Sequence, residues 1–250
     1  MISVVDPDAR HAHKTVHRRQ DGFKAHLAVE PDTGIVTGCE LTKAAGSEAM
    51  DGAVGIVLLE RDDTLAGAGS VEVLADSAYG TGDSLAAITG AGHVPLVKPR
   101  PTKPAVPGGL HIDEFIVDQT AGTVTCPAGI TRPISPSRAV TFGAACRGCP
   151  SRERCTTAKD GRALHLHEHD ALQREHRERA KDSQWQADYR QHRPMVERSI
   201  AWLVRGGNRK LRYRGVAKNN HWLHHRTAGL NLRQLVNLGL DRSHGVWVVA

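Results

Sequence analysis

Val71–Lys98 reads VEVLADSAYGTGDSLAAITGAGHVPLVK. VEVLA is a short apolar run of the buried-strand kind and stops at Asp76. Asp83 or Ser84 starts a helix through Leu85, Ala87 and Ile88 that ends at Gly90 or Gly92, and His93–Lys98 returns as a strand. Upstream, Phe23–Glu30 alternates Phe23, Ala25, Leu27 and Val29 against Lys24, His26 and Ala28. Pro31–Gly34 is a turn and Ile35–Leu41 a second strand, so the two predict an antiparallel hairpin. Ser47 caps a helix from Ala49 through Val54 and Leu58 to about Leu59, which Gly52 and Gly55 weaken. Strands interleaved with helices in this order predict a mixed α/β fold, a pattern shared by several α/β architectures.

Outward from this core the signals change. Ile2–Ala9 is extended, Arg10–Gln20 (RHAHKTVHRRQ) is a basic loop or phosphate-facing strand edge, and Asp21-Gly22 is a turn. Pro99–Gly109 holds four prolines and breaks the pattern. Ile112–Val117 and Thr123–Thr125 are short strand candidates. His165–Asp188 is charged throughout and reads as an exposed helix with Trp185 anchoring one end, and His221–Leu240 recovers the apolar spacing of a closing helix.

Thirty-three Lys and Arg against 27 Asp and Glu give a formal charge of +6, with 15 histidines besides. This balance favours a polyanionic partner. Aromatics make up only 4% of 250 residues, so aliphatic side chains must fill the core. No apolar run approaches the roughly 20 residues of a membrane-spanning helix, and Met1-Ile2-Ser3 opens no signal peptide, so the expectation is a cytoplasmic protein without membrane contact.

Four of the five cysteines, Cys126, Cys146, Cys149 and Cys155, fall within thirty residues, and Cys39 stands apart. The intervals of nineteen, two and five residues form a poor disulfide framework. They suit either a tetrahedral thiolate Zn²⁺ site, helped by basic surroundings, or four buried or free thiols. His165, His167 and His169, like His221, His224 and His225, lack the partners of a recognised metal site.

Tyr189–Gly215, YRQHRPMVERSIAWLVRGGNRKLRYRG, sets Glu197 among basic side chains. Pro194 suits a first helical turn, Val196, Ile200, Leu203 and Val204 make an apolar stripe, and Gly206-Gly207 is a stop signal, which puts Glu197 near a helix start. There it would pair with Arg193 and complement the helix dipole. Arg205, Arg209, Lys210, Arg212, Arg214 and Lys218 follow without an acidic residue, as phosphate binding requires, and Tyr213 between two arginines adds a stacking group. Asp76, at the carboxyl end of a strand, has the address of a functional carboxylate in an open α/β sheet, and also that of a turn cap.

Tyr189, Arg193, Glu197 and Arg205, together with LADSAYG around Asp76, resemble the motifs of DDE transposases of bacterial insertion sequences. The spacings from tyrosine to arginine and from glutamate to the later base are each one residue longer than the commonest pattern. The resemblance covers about Ile2–Leu240 and implies an RNase H-like mixed sheet, an antiparallel hairpin followed by parallel crossovers. Residues 1–98 would begin that core, 99–164 would be a Pro/Cys-rich insertion with a possible zinc site, 165–240 would complete the core with helices, and 241–250 would be a tail. It implies metal-dependent DNA cleavage and strand transfer with Mg²⁺ or Mn²⁺ on three carboxylates. Asp76 and Glu197 match two of them and Asp6 is a candidate for the third. DNA at transposon ends and target, a homodimer on that DNA and a place at the bacterial nucleoid are implied as well. In the family a DPDAR-like segment follows an Asp-Ser/Gly-Thr motif that carries the first aspartate, and this chain has no such motif. The expectation is therefore the C-terminal part of a transposase, with a remnant that binds DNA without cutting it as the alternative. A zinc-stabilised DNA-binding module unrelated to transposases is a third reading, resting on cysteines and charge alone.

Overall fold

The computed structural model describes residues 5–15 and 18–249. The extended reading of Ile2–Val4 lies outside them, as do Val16 and His17 of the basic segment. The chain divides into two compact units, one of residues 1–98 with 181–250 and the other Pro99–Ala180. Each is mixed α/β.

The first unit opens with β1 (Arg10–Thr15), β2 (Arg18–Val29) and β3 (Val36–Lys43), paired antiparallel in the order β1-β2-β3. Asp21-Gly22 does not turn the chain. It lies inside β2 opposite Arg10 and His11, because the basic segment continues as strand on both sides of it. The expected hairpin is β2–β3, in register at Leu27↔Cys39 and Ala25↔Leu41. Next come α1 (Asp51–Glu60), β4 (Glu72–Ala75), α2 (Gly82–Gly90) and β5 (Val94–Val97). β4 and β5 pair in parallel, and Thr81 caps α2 by accepting the Ser84 N–H at 3.1 Å. The glycines that weaken α1 have a packing reason. A Cβ on Gly55 would lie 2.4 Å from the Tyr79 ring, and one on Gly52 2.1 Å from Ser84 Oγ, so only glycine allows this approach. Among the described residues the antiparallel and parallel strands form separate sheets.

In the second unit, β6 (Ile116–Asp118), β7 (Thr123–Thr125) and β8 (Thr131–Pro133) make one antiparallel sheet. β9 (Ala139–Thr141), α3 (Arg152–Cys155), β10 (Ala163–His165) and α4 (Asp170–Arg179) follow, with β9 and β10 paired. Phe115, Val124, Val140, Phe142 and Leu166 form its fully buried centre. The charged stretch read as one exposed helix is divided. Its first residue ends β10, α4 covers its middle, and its last six residues open another helix. Its charges also work inward. Asp170 is 3% exposed and accepts Arg174 Nε at 2.6 Å, while Arg174 donates onward to Phe115 O at 2.9 Å and Ile112 O at 3.0 Å. Arg177 grips Asp113 with two nitrogens at 2.7 and 2.5 Å.

The first unit resumes with α5 (Ser183–Val204), α6 (Val216–Asn237), β11 (Asp241–Ser243) and β12 (Val246–Val248), so the expected tail holds an antiparallel hairpin. Asp182 caps α5 by accepting the Trp185 N–H at 2.9 Å. The helix therefore starts eleven residues before Pro194, which lies in its interior, and Glu197 stands in the later half rather than near the start. α6 packs on β3 around Val36, Cys39, Leu41, Leu203 and Leu223. β3 is an edge strand, and α6 closes it with side chains. Asn231 both donates to Val36 O (2.7 Å) and accepts from Val36 N (2.9 Å), Asn220 accepts from Leu41 N (2.8 Å), and Gln234 donates to Thr33 O (2.7 Å). No helix among the described residues is long and apolar enough to cross a membrane.

On β2, His26 is 4% exposed, with Nε2 3.0 Å from Thr42 Oγ1 and Nδ1 3.5 Å from Asp51 Oδ1, and Lys24 holds the other Asp51 oxygen at 2.6 Å. Burial lowers the imidazole from 6.5 to about 4; Asp51 opposes this shift and Lys24 adds to it. Above pH 6.5 the ring is neutral in both folded and unfolded chains. As pH falls towards 4 only the unfolded chain gains the proton, so stability on the order of 3 kcal/mol is progressively lost. Urea unfolding of His26→Gln should show a flatter stability slope between pH 7 and 5 than the parent. In the second unit, Arg174→Ala leaves Asp170 buried without its partner and should cost about 3–5 kcal/mol, whereas Arg179→Ala at the exposed end of α4 should stay within about 0.5 kcal/mol. Denaturant midpoints read both.

Candidate active site and nucleic-acid interface

Asp76 stands immediately after β4, at its carboxyl end, and is exposed. One carboxylate oxygen accepts the Ala78 N–H at 2.8 Å, so the turn-capping role is real, and the backbone carbonyl accepts from Tyr79 N at 3.1 Å. Tyr79 folds under this turn against α1. Burial pushes its phenol well up, with the charges of Asp51 and Asp76 adding to the effect.

Glu197 faces outward from α5 with its side chain 66% exposed, and its Oε1 is 3.4 Å from Arg193 Nη2 one turn earlier. α5 packs against β5 and against β4, the strand that Asp76 follows. Tyr189 on α5 lies within electrostatic reach of both carboxylates. Burial pushes its phenol above the ordinary value, the charged and hydrogen-bonded Arg193 pulls it back, and both Asp76 and Glu197 push it further up. One tyrosine thus feels both carboxylates, and one arginine serves the tyrosine and Glu197. Trp185, one turn before Tyr189, stacks on it with centroids 5.5 Å apart and planes 4° from parallel. In the sequence the signal for this stack is the four-residue spacing of Trp185 and Tyr189, beyond the role of Trp185 as a helix anchor.

Asp6 is bonded to the residue that precedes α6. Its Oδ2 accepts the Gly215 N–H at 3.0 Å and its Oδ1 accepts from Asp8 N at 3.1 Å, while Asp8 Oδ2 takes the Val216 N–H at 3.1 Å. The two aspartates hold the N-terminus of α6, where a negative charge meets the positive end of the helix dipole. The Val216 N–H keeps the Asp8 carboxyl below its ordinary range against the opposing effect of burial, with help from Lys43.

Between α5 and α6, the basic run forms a loop. Arg205, Arg209, Lys210, Arg212 and Arg214 are all exposed, and none forms an ion pair among the described residues. Leu211 points into the core instead, and fully buried Asn219 ties the loop down, accepting from Tyr213 N (3.1 Å) and donating to Tyr213 O (2.7 Å) and Gly215 O (2.8 Å). The result is a fixed set of cations able to meet a polyanion.

In the second unit, Cys126, Cys146, Cys149 and Cys155 line one cavity. All five cysteines are free thiols. Burial raises the Cys155 thiol, Arg162 opposes this, and the other three cavity cysteines add to it. Among the described residues, no three or more His, Cys, Asp or Glu side chains are already gathered as a metal-holding group.

The shared influence of Asp76 and Glu197 on Tyr189 has a direct spectroscopic consequence. In Asp76→Asn combined with Glu197→Gln, the Tyr189 phenol should titrate at lower pH than in the parent chain, as followed by NMR of ¹³C-labelled tyrosine. An unchanged titration would show that the carboxylates do not face this ring.

Residues 125–236 match a family model described as the transposase DDE domain. No curated protein matches the chain, and no solved structure does. The matched stretch contains Glu197, Arg193, the basic loop and all four cavity cysteines, and Asp76 and Asp6 lie before it. Over residues 125–236 the chain is similar to the transposase DDE domain, which is consistent with the C-terminal part of a DDE transposase.

Proposed function

We propose that this chain acts on DNA as the catalytic part of a DDE-type transposase, breaking phosphodiester bonds and rejoining strands of an insertion sequence. The observation that supports the reading is the packing of α5, which carries Glu197, against β4, which Asp76 follows, with the charges of both carboxylates acting on Tyr189. Both are exposed oxygen donors, of the kind that hard divalent cations such as Mg²⁺ or Mn²⁺ prefer, and Mg²⁺ sites commonly use one or two carboxylates plus substrate phosphate. Bound ions of this kind lend charge to the attacking and leaving oxygens of a phosphodiester. Asp76 and Glu197 would hold such an ion, Arg193 pairs with Glu197, and Arg205 to Arg214 would seat the DNA backbone. Water or a 3′-hydroxyl forms the new O–P bond as the old P–O bond breaks. The hydroxyl proton passes to solvent, and the departing 3′-oxygen takes one up.

An RNase H-like core formed by residues 1–98 and 165–240, with 99–164 as an insertion and 241–250 as a tail, belongs to the same reading. So do a homodimer on paired transposon ends and a place at the bacterial nucleoid. A second reading, a protein that binds DNA without cutting it, is favoured by one feature: Asp6 is tied to the start of α6.

The test is a labelled duplex carrying the DNA that flanks the coding sequence, assayed with Mg²⁺ and with Mn²⁺. Metal-dependent cleavage is expected, and Asp76→Ala or Glu197→Ala should abolish it while leaving binding intact. Cleavage that survives Asp76→Ala sinks the enzymatic assignment, and binding without cleavage by the unaltered chain selects the second reading. Arg212→Ala should weaken binding uniformly across DNA sequences and reduce the salt slope by about one.

A further inference from the structure

We propose that Cys126, Cys146, Cys149 and Cys155 bind one zinc ion as a tetrathiolate, and that this ion is a structural crosslink of the Pro99–Ala180 unit. The unit has 82 residues, and each of its five strands is only three residues long. It lies just above the roughly 70–80 residues below which a core alone supplies little stability, and with strands this short a metal or disulfide staple adds to its stability. The cysteines here are free thiols, which leaves the metal.

The backbone around them presents sulfur to a common space. Cys126 follows β7 in a tight loop, where its carbonyl accepts from Gly129 N at 2.8 Å and its N–H donates to Ile130 O at 2.9 Å. Cys146 closes a helical turn, and its carbonyl accepts from Cys149 N at 3.4 Å and from Arg152 Nη1 at 3.2 Å. Its sulfur already accepts a backbone N–H, from Arg162 at 3.4 Å. Gly161 makes that approach possible. At φ +87°, a Cβ there would lie 2.6 Å from Gly143 O and 3.1 Å from Cys146 Sγ. Cys155 is buried at the end of α3.

The cavity that these four residues share with Arg152 and Arg162 has a volume of about 20 Å³. That is room for one water or one ion, and too little for an organic ligand. Soft thiolates select zinc over the hard cations of the carboxylate site. The surrounding charge suits such a centre, because zinc with four thiolates carries two negative charges. From Cys126 to Arg162 the chain has seven Arg and Lys against two acidic residues. Arg162 Nε is buried without a hydrogen-bond partner, a donor in search of negative charge. The thiols line the cavity without being closed on one point, so loading requires their side chains to turn inward to Zn–S distances of about 2.3 Å.

The full chain, purified without chelator, should carry one zinc per molecule by elemental analysis, and so should Cys39→Ser. Cobalt substitution should give the intense absorption of a tetrahedral four-sulfur site, and Cys149→Ser should lose that intensity. Should Cys149→Ser fail to fold, alkylation of the unaltered chain decides. The four cavity cysteines should resist iodoacetamide until zinc is removed and then react, with Cys39 unaffected by the removal. Chains without zinc whose four cavity thiols alkylate freely, a disulfide among these cysteines, or full zinc retention by Cys149→Ser would each overturn the proposal.

Discussion

The first unit depends on how β3 is closed. An edge strand presents a row of backbone N–H and C=O groups that must find water, a further strand or some other partner. Here the partner is a helix. Asn220, Thr227, Asn231 and Gln234 recur at seven, four and three residues, which is one face of α6, and the amides among them bond directly to the β2–β3 hairpin at Val36, Leu41 and Thr33. Thr227 meets Cys39 between them, with its oxygen 3.4 Å from the sulfur. Leu223 sits on the same face, fully buried, so the contact is both a hydrophobic seam and a substitute strand. The start of that helix is held by Asp6 and Asp8, and its preceding loop by Asn219. The position of the basic loop therefore follows from the same closure.

The parts of this architecture that were legible were those written in apolar periodicity. The strand, helix and strand of 71–98 lie where their alternation puts them, and so does the β2–β3 hairpin. What was hidden is polar. The α6 face that closes β3 consists of amides and a hydroxyl, which in a bare sequence resemble solvent-facing positions. Asp170 and Arg174 look like an exposed charge pair and are an internal clamp. Asp21-Gly22 carries a turn signature, yet pairing on both flanks keeps it extended. Pro194 signals a helix start only when no stronger cap precedes it, and Asp182 supplies one.

The candidate site shows the same division. Asp76 could be located because a strand end is visible in sequence, and Glu197 because its arginine and tyrosine neighbours recur one turn apart. That α5 packs on β4, and that both carboxylates act on Tyr189, are tertiary facts. The attachment of Asp6 to α6 depends on residues more than two hundred positions away. The four cysteines were legible as a cluster, but the cavity and the Arg162 N–H pointing at Cys146 were not.

The closure of β3 also orders events during synthesis. Val36 waits for Asn231, 195 residues later, and the whole Pro99–Ala180 unit emerges in the interval. Until α6 leaves the ribosome, the nascent chain carries a paired β2–β3 hairpin with one edge bare, the kind of surface that recruits foreign strands. The second unit, continuous in sequence, faces no such delay. Any interruption of translation before about residue 231 would release a chain whose first unit cannot protect its own sheet.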